Sequence, residues 1–307
     1  MTPDILCLGE PMLEFNQQPD GMYLPGHGGD TSNCAIAAAR QGARVGYVSH
    51  IGRDAFGDSF MALWISESVD TSNVVQVPDA PTGIYFVTHG EQGHDFSYFR
   101  AGSASSLMTP GDLPAAALRS TKILHLSGIS QGISDSAADT GFAAIEMVKK
   151  AGGLVSYDTN LRPKLWPVAR ARAIIHAAVA QSDVALPGLD DAILLTGLSE
   201  PEEIVDFYLA LGAKIVALTL GPKGTLVGTA TESRLIAGRK VKAVDATGAG
   251  DTFDGAFLAH FVESRDPFAA AHFANAAAAL STQGFGAVAP MPYTSDVKAF
   301  LASDQPG

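Results

Sequence analysis

Short apolar runs alternate along the chain with longer alanine-rich stretches whose apolar positions recur at helical spacing. The short runs predict strands at 5–9, 44–49, 122–127, 154–158, 183–186 and 214–220. The longer stretches predict helices at 32–41, 135–150, 168–180, 201–211, 250–262, 266–283 and 295–301. Such alternation of strands and helices predicts an α/β fold, with a mostly parallel sheet covered by helices on both faces.

Two segments, 12–25 and 82–101, depart from this alternation and have extended character. In the second segment, Ile84, Phe86 and Phe96 follow a period of two on either side of a turn near 90–93. We predict that the two segments form a small β-sheet lid beside the main sheet.

Composition supports one large domain spanning residues 1–307, because 47% of the residues are hydrophobic and no linker or repeat divides the chain. The net charge of −12 disfavours nucleic-acid binding, which usually needs a basic face. Cys7 and Cys34 form no disulfide framework, which is typical of a reducing compartment. With no basic leader and no apolar run of membrane-spanning length, we predict a cytoplasmic protein without a membrane partner.

The most restrictive motif is Asp-Ala-Thr-Gly-Ala-Gly-Asp at 245–251, directly before a predicted helix. Gly248 and Gly250 permit a tight turn whose amides converge on an anion, and the helix N-terminus adds unpaired donors. Asp251 stands beside this turn, where a carboxylate can accept the proton of an attacking hydroxyl. The alternative is an ordinary helix cap, but two aspartates bracketing the glycines favour phosphoryl transfer.

This motif matches the C-terminal signature of the ribokinase-like (PfkB) carbohydrate kinases, which the chain resembles over its whole length. The Gly-Gly-Asp-Thr-Ser-Asn run at 28–33 and the Gly-Arg-Asp-Ala-Phe-Gly run at 52–57 match two further motifs of that family. The resemblance implies a ribokinase-like fold, ATP and Mg²⁺ as cofactors, and Asp251 as the general base. It also implies an anion hole built from the amides of Gly248, Ala249 and Gly250.

The resemblance further suggests which residues bind the nucleotide and the metal. It places ATP against Asn160, Thr219, Gly221, Gly224 and Asn275. A plain β-turn at 219–224 and a buried Asn275 bonded to backbone remain the alternatives. The chain carries Gly-Leu-Asp-Asp at 188–191 where many relatives have Asn-x-x-Glu, so Asp191 would reach magnesium through water.

The runs 7–15, 26–30, 98–104 and 158–162 resemble the 2-keto-3-deoxygluconate kinases of that family. This resemblance implies a sugar acid held by Gly29, Asn33, Tyr85, Tyr98, Arg100 and Arg162. Arginine suits a carboxylate because it can bind both oxygens. The alternatives are a fructokinase- or ribokinase-type kinase of a neutral sugar, and a sugar-binding regulatory protein without catalysis. The family resemblance also implies a homodimer or larger homo-oligomer that pairs through the lid.

Overall fold

The computed structural model describes residues 2–90 and 93–303. Their strands are β1 (Ile5–Leu8), β2 (Met12–Gln17), β3 (Tyr23–Gly28), β4 (Val45–Gly52), β5 (Asp70–Val77), β6 (Gly83–Gly90), β7 (Gly93–Phe99), β8 (Ile123–Ser127), β9 (Leu154–Asp158), β10 (Val184–Leu186), β11 (Ile215–Thr219), β12 (Gly224–Thr229) and β13 (Ser233–Ala237). Their α-helices are α1 (Asp30–Arg40), α2 (Ala55–Ser66), α3 (Ala115–Ser120), α4 (Gly128–Gly132), α5 (Asp135–Lys150), α6 (Val168–Val179), α7 (Leu189–Thr196), α8 (Pro201–Leu211), α9 (Ala249–Ser264), α10 (Pro267–Ser281) and α11 (Thr294–Ser303). Short 3₁₀ turns occupy Ser105–Leu107, Pro110–Asp112 and Gly221–Lys223.

Within the described residues the main sheet has nine strands in the order β13-β12-β11-β10-β9-β8-β1-β4-β5. Strands β11 through β5 in this order run parallel, and only β12 and β13 are antiparallel to their neighbours. The predicted mostly parallel sheet is therefore confirmed. All the strands predicted from apolar runs belong to this sheet. Their predicted ends differ from the observed ends by three residues at most.

Both faces of the main sheet are covered by helices, as predicted. Along β1, Ile5 and Cys7 face a core that includes residues of α1, α2, α9 and α10, whereas Leu6 and Leu8 face a core built with α5, α6 and α8. A central parallel strand must be apolar on both faces to fit between two helical layers. This requirement explains why the strands read as continuous apolar runs.

The small sheet has the order β3-β2-β6-β7 and comes from the two segments that the sequence singled out. The first segment folds back on itself, because the Asp20 side chain accepts the Met22 amide at 2.9 Å and Gly21 takes a φ of 82°. Strand β2 pairs parallel with β6, and β6 pairs antiparallel with β7. The turn predicted near 90–93 joins these strands, but residues 91 and 92 lie outside the described chain.

Strands β5, β12 and β13 were not predicted. The positions of β5 and β13, at the two edges of the main sheet, are half-buried or exposed, so polar residues interrupt the apolar pattern that marks the inner strands. Strand β12 is mostly buried, but its glycines and threonines leave no apolar run to mark it. Helix α2 was also missed, although its N-cap Asp54 accepts the Gly57 amide at 2.8 Å. No helix in the described ranges is long and apolar enough to cross a membrane.

Helices α1 and α9 pack unusually closely because Gly255 has no side chain. A Cβ atom at Gly255 would lie 2.4 Å from the Cys34 carbonyl oxygen and 2.6 Å from the Ala37 Cβ. Alanine favours a helix interior over glycine by about 1 kcal/mol, so the glycine is explained by the contact and not by helix formation.

Gly255→Ala is therefore expected to lower the free energy of unfolding by about 1–3 kcal/mol, the usual cost of overpacking a core. The measurement is urea denaturation. Gly111→Ala is the matched control, since a Cβ there meets only the Thr109 hydroxyl at 3.6 Å. Equal midpoints for Gly255→Ala and the unmodified protein would contradict this account of the helix packing.

Candidate active site

A cleft of about 660 Å³ lies between the small sheet and the carboxyl ends of the parallel strands. Open α/β sheets generally bind ligands at this edge. Most of the predicted site residues line the cleft: Gly29, Asn33, Tyr85, Tyr98, Arg100, Asn160, Arg162, Asp191, Thr219, Gly248, Gly250 and Asp251. Ala249, Gly221, Gly224 and Asn275 are not among the lining residues.

The glycine-rich turn before α9 is shaped by Asp245. Its Oδ1 accepts the amide and hydroxyl of Thr247 at 2.9 and 2.7 Å, and its Oδ2 accepts the Gly286 amide at 2.9 Å. Gly248 takes a φ of 73°, and a Cβ there would lie 2.9 Å from the Ala287 Cβ. Gly250 borders open space, because a Cβ at this position would meet nothing within 4 Å. The first aspartate of the motif therefore builds the turn rather than acting on a substrate.

The predicted anion hole needs one correction. The Ala249 amide donates to the Ala246 carbonyl at 3.1 Å, so it is already used within the turn. The amides of Gly248 and Gly250 make no such turn bond in the part of the chain that the structure describes. These two amides and the N-terminus of α9 remain to receive an anion.

Asp251 is the third residue of α9 and partly buried. The Asn33 side-chain amide donates to its Oδ2 at 2.8 Å, across 218 positions of the sequence. Burial and repulsion from Asp30 raise the pKa of Asp251 to about 7, against the opposing effects of the Asn33 bond and the Arg162 charge. A carboxylate with this pKa is well matched to accept a proton at neutral pH.

Four further carboxylates among the described residues line the same cleft, and sequence reasoning gave them no role: Glu10, Asp30, Asp158 and Asp254. Burial and mutual repulsion raise the pKa values of Asp158 and Asp254 well above the ordinary range. Asp254 follows Asp251 by three residues on an otherwise apolar helix face, which is a signal that the sequence did contain.

Asn160 lies among these carboxylates and not apart from them. It takes a φ of 25°, its backbone amide donates to Asp158 Oδ1 at 3.0 Å, and its side-chain amide donates to Asp30 Oδ2 at 3.1 Å. Its side-chain donor is therefore directed at the carboxylate cluster, whereas we predicted a nucleotide contact.

The two predicted substrate arginines differ in their surroundings. Arg100 donates through Nε to Glu10 Oε2 at 2.7 Å and through Nη2 to the same oxygen, and Ser103 donates to the other oxygen. Glu10 is almost fully buried and was missed by the sequence analysis. Nη1 of Arg100 has no hydrogen-bond partner among the described residues, so Arg100 keeps the N–H donors of Nη1, while Glu10 offsets its charge.

Arg162 is less closely paired with a carboxylate than Arg100 is. Its side chain is 48% exposed, and the nearest carboxylate oxygen, Oδ2 of Asp191, is 3.9 Å from its Nη1. This separation is too long for a hydrogen bond. Arg162 therefore remains available to bind a substrate anion, with one donor committed to the Leu161 carbonyl at 3.0 Å.

The lid contributes an aromatic wall. The rings of Tyr85 and Tyr98 lie 5.8 Å apart, and the Tyr85 hydroxyl donates to Glu14 at 2.6 Å. Opposite them, Gly29 begins α1 with a φ of 99°, and a Cβ there would lie 2.5 Å from the Glu10 carbonyl oxygen. Only glycine fits at this position, which brings the start of α1 to the cleft.

The predicted nucleotide residues divide into two groups. Thr219 lines the cleft at the end of β11, while Gly221 and Gly224, with φ values of 57° and 104°, shape the turn that follows. Asn275, predicted to contact the nucleotide, is not among the lining residues: its Oδ1 accepts the Thr225 hydroxyl at 2.7 Å and its side-chain amide donates to the Ile236 carbonyl at 2.9 Å. It ties α10 to β12 and β13, which is the alternative that the sequence left open.

The metal prediction depends on Asp191, whose Oδ2 accepts the Leu161 amide at 2.9 Å. Burial raises the pKa of this carboxyl group. No group of three or more histidine, cysteine or carboxylate side chains in the described residues is arranged to hold a metal. This donor set fits Mg²⁺ that keeps its waters and binds mainly to phosphates, and Asp191 would reach such an ion through water.

Residues 6–294 match the model of the pfkB family carbohydrate kinases. The chain belongs to this family. It is 35% identical to a 2-dehydro-3-deoxygluconokinase from Thermoproteus tenax, over 90% of this chain and 87% of the relative. For the 2-dehydro-3-deoxygluconokinase of Bacillus subtilis (strain 168) the identity is 31%, over 99% and 97%.

Another relative, fructokinase-2 from Solanum habrochaites, is 31% identical over 97% of this chain and 95% of its own length. A ribokinase II candidate from E. coli, solved in complex with ATP and Mg²⁺, superposes with a TM-score of 0.90 at 26% identity, covering 98% and 99% of the two chains. The pfkB family and the ribokinase-like fold predicted from the motifs are confirmed. The similarities to sugar-acid and fructose kinases are comparable, so they do not select the sugar.

For this pfkB kinase, kcat/KM for the sugar is expected to fall on the acid side with an apparent pKa of about 7, because protonated Asp251 cannot accept a proton. Asn33→Leu should move this limb to higher pH, since it removes a hydrogen bond to the charged form. Asp30→Asn should move it to lower pH, since it removes a repelling charge. Initial rates measured across pH give both shifts. If neither variant changed the apparent pKa of the acidic limb, Asp251 would not be the group that titrates there.

Asp251→Asn is expected to reduce kcat by about 10²–10⁴ and to raise the melting temperature by about a few degrees at pH 8. The pKa of Asp251 is about 7 in the fold, against 3.8 ordinarily. Between about pH 4 and pH 7 the Asp251 carboxyl group is deprotonated in the unfolded chain but still protonated in the folded protein. Its contribution to the free energy of unfolding therefore falls as the pH rises through this range. Steady-state rates test the expected loss of kcat, and thermal melts test the expected rise in melting temperature. An inactive variant that melts at a lower temperature than the unmodified protein would contradict the stability prediction.

Proposed function

We propose that this kinase transfers the γ-phosphoryl group of ATP to the terminal hydroxyl of 2-keto-3-deoxygluconate, also called 2-dehydro-3-deoxygluconate. The observation that carries the proposal is the half-exposed Arg162 guanidinium at the cleft wall, which has no carboxylate of residues 2–90 or 93–303 within hydrogen-bond distance. A substrate carboxylate would provide that partner. The resemblance of four sequence runs to sugar-acid kinases supports the same substrate.

The chemistry follows from the position of Asp251 beside the glycine-rich turn. Its carboxylate accepts the proton of the terminal hydroxyl while the hydroxyl oxygen bonds to the γ-phosphorus. The bond from that phosphorus to the β–γ bridging oxygen breaks, and ADP leaves. The amides of Gly248 and Gly250 and the α9 N-terminus stabilise the charge on the transferred group.

Magnesium supplies charge neutralisation of the ATP phosphates. Asp191 and the cleft carboxylates provide the oxygen groups that would hold its waters. Thr219, at the end of β11, would contact the nucleotide, and Gly221 and Gly224 would act by shaping the turn below it. The site thus fits Mg-ATP without a metal cage made by the protein.

The second candidate is a fructokinase-type kinase of a neutral sugar. Two observations favour it: the fructokinase similarity at 31% identity, and the pairing of Arg100 with Glu10, which leaves one fewer free cation for a carboxylate. A non-catalytic sugar-binding regulator is disfavoured, because such a protein has no need of a base such as Asp251 held by Asn33.

We also propose that the protein forms a dimer or larger homo-oligomer through the lid. Met22, Leu24 and Phe99 are more than 60% exposed on the lid strands and beside them. Leu24 and Phe99 lie on the two edge strands of the small sheet, and exposed apolar side chains at these edges favour pairing of the lid with another copy. The cytoplasmic location stays a prediction from the sequence.

Arg162→Leu is expected to lower kcat/KM for 2-keto-3-deoxygluconate about ten- to a hundredfold, since a charge-assisted hydrogen bond contributes roughly 1.5–3 kcal/mol. The KM for ATP and the activity on D-fructose should change little. A coupled assay of ADP release, run over a panel of sugars and sugar acids, measures these values.

Arg170→Leu is the matched control, because Arg170 is 49% exposed and pairs with Asp135 outside the cleft. It should leave all the constants near those of the unmodified enzyme. If the unmodified enzyme prefers D-fructose to the sugar acid, the first proposal is wrong and the second candidate replaces it.

A further inference from the structure

The connecting segment 282–293, which joins α10 to α11, supports the glycine-rich turn from the side away from the cleft opening. Its Gly286 amide donates to Asp245 Oδ2 at 2.9 Å. Its Ala287 packs so closely on Gly248 that a Cβ atom added to the glycine would lie 2.9 Å from the Ala287 Cβ. The position of the turn therefore depends on the position of this segment.

The connecting segment itself contains neither helix nor strand, and all of its residues are described, so side chains of other elements must hold it. Arg40, the last residue of α1, makes the central contacts. Its Nη1 donates to the carbonyl oxygens of Val288 and Met291 at 2.9 and 2.6 Å. The next residue, Gln41, donates to the Pro292 carbonyl at 2.7 Å. The C-terminal end of α1 is thus fastened to the segment at three carbonyl groups.

The guanidinium of Arg40 is itself held in a fixed orientation. Its Nε and Nη2 donate to the two carboxylate oxygens of Glu67 at 2.9 and 2.7 Å, and its side chain is only 8% exposed. It also lies over the Tyr293 ring, 4.9 Å from the ring centroid. A two-pronged pair with a carboxylate fixes the plane of a guanidinium, which directs Nη1 at the carbonyl groups.

We infer that Arg40 is a positioning residue for phosphoryl transfer, which holds the connecting segment against the glycine-rich turn and thereby sets the amides of Gly248 and Gly250. Arg40 does not line the cleft and acts through Ala287, which does. The inference rests on the role proposed above for this turn, and it applies whichever sugar is phosphorylated.

The effect of Arg40 should fall on the transferred group and not on the sugar. Donors that stabilise a transition state must point at the position where charge develops, and a misplacement of about 1 Å can cost about a hundredfold in rate. Asn33, two helical turns before Arg40 in α1, binds Asp251 by a separate contact. The loss of Arg40 should therefore disturb the turn and leave the Asn33–Asp251 contact in place.

The test compares Glu67→Gln with the double variant Arg40→Met/Glu67→Gln, so that the two proteins differ only at Arg40. Glu67→Gln keeps an oxygen that accepts from Arg40 and leaves both carbonyl contacts of Nη1 intact. The double variant leaves no buried carboxylate without its cation, which would by itself be strongly destabilising.

Relative to Glu67→Gln, the double variant should lower kcat about ten- to a hundredfold, while KM for the sugar stays within about twofold. The sugars are 2-keto-3-deoxygluconate and D-fructose, and the one that the unmodified enzyme prefers is used. Its calorimetric titration counts the folded sites, so kcat is expressed per folded site. The acidic limb of the pH profile should stay where it is in Glu67→Gln. Arg40→Lys/Glu67→Gln should recover part of kcat, since an ammonium group can donate to the same carbonyl oxygens.

An equal kcat per folded site in Glu67→Gln and the double variant would overturn the inference. A displaced acidic limb would overturn it as well, because α1 would then have moved against Asp251 and Arg40 would be a structural residue of that helix.

Gly250→Val tests the proposed role of the turn separately. A Cβ at Gly250 meets nothing within 4 Å, so the fold is retained, while the side chain occupies the cleft wall where an anion would bind. Unchanged kcat in Gly250→Val would overturn the role of the turn and the inference with it. An inactive Gly250→Val beside a fully active double variant would overturn the inference alone.

Discussion

The close packing of α1 on α9 is the constraint on which the rest of the site depends. It brings Asn33 and Asp251 together across 218 positions of the sequence, and it is possible only because Gly255 has no side chain. The N-terminal ends of these two helices carry the glycine-rich turn, the proposed base Asp251, and Gly29 of the proposed sugar site. The proposed phosphate and sugar contacts are therefore coupled through one helix contact, and a small shift between the helices would disturb both.

This geometry requires several carboxylates to share a small, poorly hydrated volume. Desolvation and mutual repulsion raise the pKa values of Asp158, Asp251 and Asp254, which means that burying them costs stability. The two helical cores on either side of the main sheet supply the offsetting burial. A carboxylate whose pKa lies near neutral pH, such as the proposed base Asp251, therefore depends on a fold that is stabilised by its two apolar cores.

Much of the fold could be predicted from local patterns, whereas the contacts at the site could not. Inner strands and amphipathic helices leave a periodic signal because burial acts on every second or third residue. The motif at 245–251 likewise marked Asp251 and its turn. Glu10 beside Arg100, and Thr225 beside Asn275, meet only through the tertiary fold, and neither pairing leaves a trace in spacing. The residue type shows which hydrogen bonds or charge a side chain can offer to a ligand. Only the folded structure shows whether neighbouring residues already use them.

The same distinction explains how a chain of net charge −12 can bind anions. The global field is unfavourable, but a cleft responds mainly to groups within a few ångströms, and salt screens the rest. Near the turn, backbone amides and the α9 N-terminus provide positive potential without a basic side chain. Burial favours the neutral forms of Asp158 and Asp254, which reduces the negative charge that an incoming phosphate meets. Arg162 then needs to offset only what remains, so one well-placed cation has an effect that the overall charge would not suggest.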